Sequence, residues 1–328
     1  MKQEQVIIVG GGPCGMSCAI ELQKHGIKPL IIEKGNIVNT IYQFPTHQMF
    51  FSSSEKLEIG DIAFITEKQK PVRNQALAYY RSVAERQDLR INTFETVTTV
   101  EQVNQKFQIT TKNNNHEIQN YQAEQVIIAT GYYDQPNYMN IPGEDLAKVM
   151  HYFKEAHPYY NKDVVVIGGK NSAVDATLEL HKAGARITVL YRGSAYSESI
   201  KPWILPEFDS LVRKGNVHME FNAEVREFTK NEVHYSVKGN KKIIHNDFVF
   251  AMTGYKPDLA FLETIGVNIN IDNGKPDFNK TTTMETNIPG IYVAGVIAAG
   301  YNNNEIFIEN GRFHGAMIAK SIKNKTWR

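Results

Sequence analysis

A strand, a glycine-rich turn, a helix and a second strand follow one another twice in this sequence. The first copy covers residues 6–33 and the second covers residues 164–191. Each copy is followed, further along the chain, by an apolar strand that leads into Thr-Gly, at 126–131 and at 250–254. Because strand and helix periodicities alternate in both copies, the repeat limits the chain to folds built from two related β-α-β units.

The pattern between and after the two copies fits the same organisation. We predict a helix over 73–87, short strands over 91–129 and a closing helix from about 311 to 323, and within the second copy a strand over 186–191. Residues 36–70 are predicted to be irregular, and loops of that length are usually functional. The residues of 134–143 are rich in Pro, Gly and Asn, which predicts a hinge.

The predicted fold is α/β, with two Rossmann-like, three-layer dinucleotide-binding domains. A chain of 328 residues is long enough to form two such cores. We expect the second domain, residues 134–257, to be inserted into the first, which consists of residues 1–133 and 258–328.

The first glycine turn fits the pattern G-x-G-x-x-G at Gly10, Gly12 and Gly15. The first glycine permits the tight turn, the second lets a pyrophosphate approach the backbone, and the third lets the helix pack closely on the strand. Unpaired N–H groups at the start of the helix then face the phosphates. Glu33, at the end of the next strand, can accept hydrogen bonds from an adenosine ribose, and its charge repels a 2′-phosphate. This turn predicts a dinucleotide site; the alternative is a glycine-rich turn that binds no ligand.

The second turn departs from the pattern at two positions. Lys170 replaces the second glycine and Ala173 the third. Alanine is still small, and the Lys170 ammonium can meet a phosphate. The next strand ends at Arg192, where the first copy has Glu33, and an arginine there favours NADPH over NADH. The alternative is a surface arginine without a ligand, and Lys201 is a further candidate for contact with the same phosphate.

Composition and charge exclude several classes of partner. Lys and Arg total 36 and Asp and Glu total 35, so the net charge is +1. A nearly neutral chain gives no electrostatic case for binding nucleic acid or an acidic membrane. No apolar run approaches the ~18 residues of a membrane span, and the N-terminus does not resemble a secretory signal. We therefore expect a cytoplasmic protein without nucleic-acid or membrane partners.

The sequence has two cysteines, Cys14 and Cys18, one helical turn apart. Without a second pair, a structural zinc site or disulfide framework is excluded. Cys14 lies at the start of the predicted helix, where the helix dipole lowers the pKa of a thiol and a bound pyrophosphate raises it. The residues alone leave open whether Cys14 is reactive or only a small packing residue. Cys18 is predicted to be buried packing, because a disulfide to Cys14 within one helix would be strained.

The two units, the Thr-Gly junctions and the phrase Gly-Ile-Tyr-Val-Ala-Gly at 290–295 resemble the low-molecular-weight thioredoxin-reductase group of flavoproteins. In that group an FAD domain is interrupted by a smaller NADPH domain, and the resemblance spans nearly the whole chain. The group carries a redox C-x-x-C in its NADPH domain, whereas this chain has no cysteine after Cys18, so an internal dithiol is excluded there. The group's closing motif ends in Ala-Gly-Asp, whereas this chain has Val296, which makes Asn302, Asn303 and Asn304 candidates for holding the ribityl chain.

More narrowly, the sequence resembles the YpdA-type bacillithiol-disulfide reductases of low-GC Gram-positive bacteria. The phrases that carry this resemblance are Gly-Gly-Gly-Pro-Cys-Gly (10–15), Phe-Pro-Thr-His-Gln-Met-Phe-Phe-Ser (44–52), Gly-Gly-Lys-Asn-Ser-Ala (168–173) and Ile-Lys-Pro-Trp (200–203). The resemblance implies that NADPH and FAD drive reduction of the disulfide of a small thiol, bacillithiol, with Cys14 as the catalytic cysteine. Because relatives of this fold are often dimers or larger, we also expect a homo-oligomer.

The resemblance implies cofactor contacts at named positions. The implied FAD contacts are Gly10, Gly12, Pro13, Cys14, Gly15, Glu33, Lys34, Thr130, Gly131 and Gly295. The implied NADPH contacts are Gly168, Gly169, Lys170, Asn171, Ser172 and Arg192. Further candidates near a flavin are His47, His314, Tyr42, Phe44, Phe50 and Phe51. For each of these an ordinary structural role is the alternative.

Three other functions are compatible with the sequence. A ferredoxin- or flavodoxin-NADP reductase of the same fold would need no cysteine. A flavin monooxygenase shares the two-unit plan, although its Phe-x-Gly-x-x-x-His signature is not met at Phe153 and His157. A sensor that binds NADPH and signals through protein contacts would turn over very slowly with every acceptor.

Overall fold

The computed structural model describes residues 1–302 and 304–326, which form two compact units. The first unit consists of Met1–Tyr42, Gln48–Gln135 and Lys256–Arg328, and the second unit consists of Gln43–His47 and Pro136–Tyr255. Most of the second unit is therefore inserted in the sequence of the first. The limits predicted for the two dinucleotide-binding domains remain predictions, because the division into compact units does not show which ligand each unit binds.

Strands and helices alternate along much of the chain. The strands are β1 (Lys2–Val9), β2 (Leu30–Ile32), β3 (Ile91–Asn92), β4 (Glu95–Val103), β5 (Lys106–Asn113), β6 (Ile118–Ile128), β7 (Val149–Met150), β8 (Asp163–Ile167), β9 (Arg186–Tyr191), β10 (Val217–Phe221), β11 (Ala223–Phe228), β12 (Glu232–Val237), β13 (Asn240–His245), β14 (Phe248–Ala251) and β15 (Ile291–Val293). The α-helices are α1 (Pro13–Gln23), α2 (Asn39–Gln43), α3 (Arg73–Arg86), α4 (Asn171–Lys182), α5 (Leu205–Arg213), α6 (Leu259–Thr264), α7 (Ile308–Gly311) and α8 (His314–Thr326). Short 3-10 helices occur at Ser54–Leu57, His157–Tyr159 and Gly295–Ala299.

A parallel sheet in the order β3-β2-β1-β6-β15 forms the centre of the first unit. β15 pairs with the last residues of β6, and the earlier part of β6 pairs antiparallel with β5, which in turn pairs with β4. Val6, Ile7 and Ile8 of β1 are fully buried. Consecutive buried side chains mean that this strand is covered on both faces, as is usual for a parallel sheet.

The second unit has three layers. Its parallel sheet has the order β10-β9-β8-β14-β7, and a separate antiparallel sheet has the order β11-β12-β13. One apolar cluster joins the parallel sheet to α4 and α5, and it includes Val164, Leu180 and Phe208. A second cluster joins the same sheet to the antiparallel sheet through Val165 and Val233. Side chains of alternating direction along β8 therefore supply both cores.

The α/β class predicted from the repeat is confirmed, and β9 has the predicted limits. The closing helix predicted over about 311–323 is present as α8 but begins three residues later, since α7 ends at Gly311 and α8 begins at His314. The backbone leaves the helical path here, where the Arg312 carbonyl accepts a bond of 2.6 Å from Ser17 Oγ. The segment 36–70, predicted to be irregular, contains α2 and a 3-10 helix, both too short to produce a periodic pattern.

α8 packs directly against α1 at a glycine. A methyl group on Gly315 would lie 2.9 Å from the carbonyl oxygen of Ser17 and 3.0 Å from Cα of Cys18. Both of these atoms belong to the backbone, so neither can move aside by a change of rotamer. The approach of the two helices therefore depends on the missing side chain at Gly315.

We predict that Gly315→Ala lowers the free energy of unfolding. Overpacking against backbone costs roughly 1–3 kcal/mol, which exceeds the gain of about 1 kcal/mol from replacing a helical glycine. Chemical denaturation of the purified protein measures the difference. The control is Lys320→Ala, exposed in the same helix, with an expected change below about 0.5 kcal/mol. A Gly315→Ala protein more stable than the parent would contradict this account of the packing.

Candidate functional site

The glycine turn after β1 is packed at backbone distance on two sides. Gly10 has a φ of +110°, and its N–H donates to the carbonyl of Ile32 at 2.9 Å. A methyl group on Gly10 would lie 2.5 Å from the carbonyl oxygen of Ala129, at the end of β6. A methyl group on Gly15 would lie 2.1 Å from the carbonyl oxygen of Gly10. Glycine at these two positions is required for α1 and β6 to meet the end of β1.

The middle glycine of the turn faces open space. A methyl group on Gly12 would have no atom of the described residues within 4 Å. Gly12 is the N-cap of α1 and has no side chain to cap the helix, and Pro13 at the first helical position has no N–H to be satisfied. The remaining N–H groups of the first turn have no partners within the helix, so this end favours an anion.

Glu33 is a buried carboxylate bound to two glycine N–H groups. Its Oε2 accepts from Gly11 at 2.6 Å and its Oε1 accepts from Gly35 at 2.8 Å. Burial raises the pKa of Glu33, and the two backbone N–H groups oppose that shift. Each carboxylate oxygen has a further lone pair, so the side chain can accept from ribose hydroxyls while it keeps these bonds.

The junction after β6 contains a buried hydroxyl whose hydrogen-bonding capacity is unused. Thr130 Oγ1 has no hydrogen-bond partner among the described residues. Gly131 beside it has a φ of +73° and open space where a side chain would be. Lys34 forms an ion pair of 2.9 Å with Asp134 next to the junction. A buried hydroxyl without a partner is costly, and a bound polar ligand would satisfy it.

His314, the first residue of α8, fixes the turn that follows β15. The N–H of Gly295 donates to His314 Nδ1 at 3.1 Å. A backbone N–H can only donate, so Nδ1 is the acceptor and the ring proton is on Nε2. Burial lowers the pKa of His314 to about 4, with a smaller contribution from Lys280. His314 is therefore neutral at physiological pH, and it holds Gly295 at a φ of +78°.

The Cys14 side chain lies in a slot formed by two glycines. A methyl group on Gly295 or on Gly311 would lie 2.9 Å from Cys14 Sγ. The residue is partly exposed, but burial of the sulfur raises the pKa of the thiol to about 12. Burial thus shifts this pKa in the direction opposite to the shift expected from the helix dipole. Cys18 is fully buried against α8, as predicted for a packing residue.

The second unit repeats the packing of the first turn. The N–H of Gly168 donates to the carbonyl of Leu190 at 3.0 Å, and Gly168 has a φ of +136°. A methyl group on Gly168 would lie 2.5 Å from the carbonyl oxygen of Met252 and 3.2 Å from Cβ of Ala173. The contact distance to the carbonyl oxygen equals that of Gly10. Ala173 occupies the position at which the first unit has Gly15.

Of the side chains predicted to contact NADPH, three are exposed to solvent and that of Asn171 is hydrogen-bonded within the protein. Lys170, Ser172 and Arg192 are exposed to solvent. The Asn171 side chain is committed within the protein, since it donates to the Ser199 carbonyl at 3.0 Å and accepts from the Lys201 N–H at 2.8 Å. Asn171 thus fixes the segment 199–201 beside the start of α4, and only its backbone remains for a ligand.

Other sequence candidates have ordinary surroundings. His47 is exposed and belongs to the second unit. Val296 is half-buried, and the Asn302 side chain accepts from the N–H of Asn304 at 3.3 Å within its own turn. Asn303, the middle member of the asparagine run, lies outside the described residues. Over the described residues no helix is long and apolar enough to cross a membrane, and no group of side chains is arranged to hold a metal ion.

Tyr191 was not identified from the sequence as a candidate site residue, although two glycines of the second unit lie against its ring. A methyl group on Gly169 would lie 2.5 Å from the ring, and one on Gly193 would lie 2.4 Å from it. The signal in the sequence was the glycine at 193, directly after the strand and Arg192.

The first unit fits a dinucleotide. The open backbone at Gly12, the carboxylate of Glu33 and the buried hydroxyl of Thr130 match a pyrophosphate, a ribose and a further polar group. The second unit has the same turn with cations at Lys170 and Arg192, which fits a nucleotide with an additional phosphate.

Comparisons with known proteins agree with this geometry. The chain is 62% identical over 328 residues to the bacilliredoxin reductase Bdr of Bacillus subtilis, with 99% of each chain covered. It is 61% identical to the bacillithiol disulfide reductase Bdr (YpdA) of Bacillus cereus, whose structure matches with a TM-score of 0.97 over 99% of this chain and 100% of that one. The thioredoxin reductase of T. acidophilum, at 21% identity and a TM-score of 0.77 over the full length of both chains, shares the fold.

These relatives confirm the resemblance that the sequence motifs indicated. The profile of the pyridine nucleotide-disulphide oxidoreductases matches residues 7–295, which include both glycine turns and both Thr-Gly junctions. The chain therefore belongs to the pyridine nucleotide-disulphide oxidoreductase family, whose members are oxidoreductases that use a flavin and a nicotinamide nucleotide.

Proposed function

We propose that this protein is an NADPH-dependent flavoenzyme that reduces bacillithiol disulfide. The observation that carries the proposal is a thiol, Cys14, inside the dinucleotide turn of a chain that is 61% identical over nearly its whole length to a bacillithiol disulfide reductase. Gly295 and Gly311 make the slot that holds the sulfur, because a methyl group at either position would lie 2.9 Å from Cys14 Sγ. We assign FAD to the first unit and NADPH to the second.

In this proposal, different residues of the first unit bind different parts of FAD. The backbone at Gly10, Gly12 and Gly15 and the start of α1 at Pro13 bind the pyrophosphate of FAD. Glu33 binds the ribose, and Thr130 Oγ1 donates to the flavin nucleotide. The bound flavin supplies the step that transfers an electron pair from the nicotinamide to a disulfide.

The remaining FAD and NADPH contacts are proposed from their positions. Lys34, paired with Asp134, and the turns at Gly131 and Gly295 flank the site in the first unit. In the second unit the phosphates meet the backbone of Gly168, Gly169, Asn171 and Ser172 and the cations Lys170 and Arg192.

The chemistry of Cys14 is constrained by its protonation. The thiol is protonated at neutral pH, because burial raises its pKa to about 12. To attack the substrate, Cys14 must lose this proton, and the resulting thiolate lies at the N-terminus of α1, where the helix dipole stabilises it. Attack forms a bond between Cys14 and one sulfur of bacillithiol disulfide, and the other bacillithiol leaves as a thiolate that takes up a proton. Two electrons and two protons then split the bond between Cys14 and the second bacillithiol, release that bacillithiol as a thiol and restore the protonated Cys14.

A second acceptor is suggested by the name of one relative. The Bacillus subtilis protein is called a bacilliredoxin reductase, so reduction of a bacilliredoxin is the second candidate. The comparisons do not favour a ferredoxin-NADP reductase, a monooxygenase or a sensor. Cytoplasmic location and a homo-oligomer are proposed from the resemblance to these relatives.

We predict that Cys14→Ser lowers turnover with bacillithiol disulfide by at least about a hundredfold, because serine cannot form the mixed disulfide. Reduction of the flavin by NADPH should stay within about twofold of the parent rate, since that step does not use the thiol. NADPH consumption under anaerobic conditions measures the first quantity and flavin absorbance the second.

The matched control is Cys18→Ala, which removes the other thiol one helical turn away. Its turnover should remain close to that of the parent, because Cys18 is fully buried. Full activity of Cys14→Ser would mean that the substrate is reduced without this sulfur and that Cys14 is a packing residue.

We predict that Glu33→Gln weakens FAD binding by about ten- to a hundredfold. The amide keeps the size of the side chain, but it can accept only through one atom and leaves the N–H of Gly11 or Gly35 facing a donor, at a cost of about 1–3 kcal/mol. FAD retained after dialysis, measured by absorbance, tests this. Glu101→Gln, exposed on β4 of the same unit, is the control. Equal FAD affinity of the two variants would exclude Glu33 from the binding site.

A further inference from the structure

We propose that Tyr191 determines the preference of the second unit for a nucleotide with a 2′-phosphate, by placing an aromatic ring where the first unit has the carboxylate of Glu33. This inference deepens the proposed function, because it rests on the assignment of a nicotinamide nucleotide to the second unit. It concerns a residue that the sequence pattern did not single out.

Backbone hydrogen bonds establish which residues correspond in the two units. Gly10 donates to the carbonyl of Ile32 at 2.9 Å, and Gly168 donates to the carbonyl of Leu190 at 3.0 Å. The residue after each acceptor is Glu33 in the first unit and Tyr191 in the second. Arg192 is consequently the counterpart of Lys34 and lies one residue beyond the ribose-facing position.

The glycines around this position correspond as well. In the first unit, Gly11 and Gly35 donate their N–H groups to Glu33 at 2.6 and 2.8 Å. Their counterparts in the second unit are Gly169 and Gly193, and both lie against the Tyr191 ring, Gly169 nearest its Cγ end and Gly193 nearest its hydroxyl end. The same pair of glycines thus contacts a carboxylate in one unit and a phenol ring in the other.

Because a phenol ring stands where the first unit has a carboxylate, a bound ribose would meet a different charge and different hydrogen-bond donors. In a unit of this fold, the residue at the end of the second strand faces the adenosine ribose, and a carboxylate there repels a 2′-phosphate. A phenol ring at this position brings no carboxylate to repel that phosphate. Within the part of the chain that the structure describes, no acceptor binds the N–H of Gly169 or Gly193, so both donors remain for an anion. The exposed guanidinium of Arg192 adds a positive charge beside them.

The ring position itself depends on glycine. A methyl group on Gly193 would lie 2.4 Å from one ring carbon of Tyr191 and 2.9 Å from its hydroxyl oxygen. A methyl group on Gly169 would lie 2.5 Å from Cγ of the same ring. Any larger residue at Gly169 or Gly193 would displace the Tyr191 ring. Gly169 and the sequence Tyr-Arg-Gly at 191–193 therefore act together in recognising the nucleotide.

The test is equilibrium binding of 2′,5′-ADP and of 5′-AMP to the purified protein, which needs neither an electron acceptor nor turnover. We expect the parent protein to bind 2′,5′-ADP at least about tenfold more tightly than 5′-AMP. Tyr191→Glu restores a carboxylate between the two glycines and should weaken 2′,5′-ADP binding by at least about tenfold, with 5′-AMP binding unchanged or stronger.

Two matched variants separate charge from shape. Tyr191→Gln has the size of the glutamate variant without its charge, so it should bind 2′,5′-ADP at least about tenfold more tightly than Tyr191→Glu does. Tyr191→Phe keeps the ring and should stay within about twofold of the parent. Unchanged 5′-AMP binding shows that each variant is folded.

Equal binding of 2′,5′-ADP by the Glu and Gln variants would overturn the inference, because the missing charge would then play no part. Failure of the parent protein to bind either nucleotide would overturn both the inference and the nucleotide assignment. A parent protein that prefers 2′,5′-ADP but does not reduce bacillithiol disulfide would overturn the proposed substrate and leave the role of Tyr191 intact.

Discussion

The rest of the structure depends on the contact between a glycine at the end of a central strand and the carbonyl oxygen at the end of its neighbour. Gly10 meets the carbonyl of Ala129, and Gly168 meets the carbonyl of Met252, each with only 2.5 Å available to a methyl group. Both glycines have positive φ values, which other residues adopt only with strain. This contact brings the start of a helix, the end of the next strand and a Thr-Gly junction to one edge of the sheet.

We propose that two nearly identical turns bind different nucleotides because of the residues just beyond the turns. Glu33 accepts hydrogen bonds from two glycine N–H groups in the first unit, whereas the corresponding N–H groups beside Tyr191 have no acceptor among the described residues. The first turn also contains a thiol, Cys14, where the second has Ser172. Burial raises the pKa of that thiol, so the proposed attack on a disulfide requires Cys14 to lose its proton first.

The sequence was sufficient to predict the fold class and the position of both turns, because glycine spacing and strand periodicity are local properties. The limits of β9 and the burial of Cys18 were also predictable for this reason. Contacts between distant segments could not be predicted in this way. The hydrogen bond from Gly295 to His314 and the slot around Cys14 join residues whose separation in sequence gives no periodic signal. The counterpart of Glu33 required the observed register, which places Tyr191 rather than Arg192 at that position.

The central claim is that one chain passes electrons from NADPH through a flavin to a small disulfide. Stoichiometric anaerobic titration of the FAD-containing protein, followed by flavin absorbance and by thiol assay, tests it most directly. We predict that NADPH bleaches the flavin and that one equivalent of bacillithiol disulfide then restores its absorbance with release of two thiols. A flavin that NADPH reduces but that stays reduced in the presence of bacillithiol disulfide, with no thiol formed, would contradict the claim.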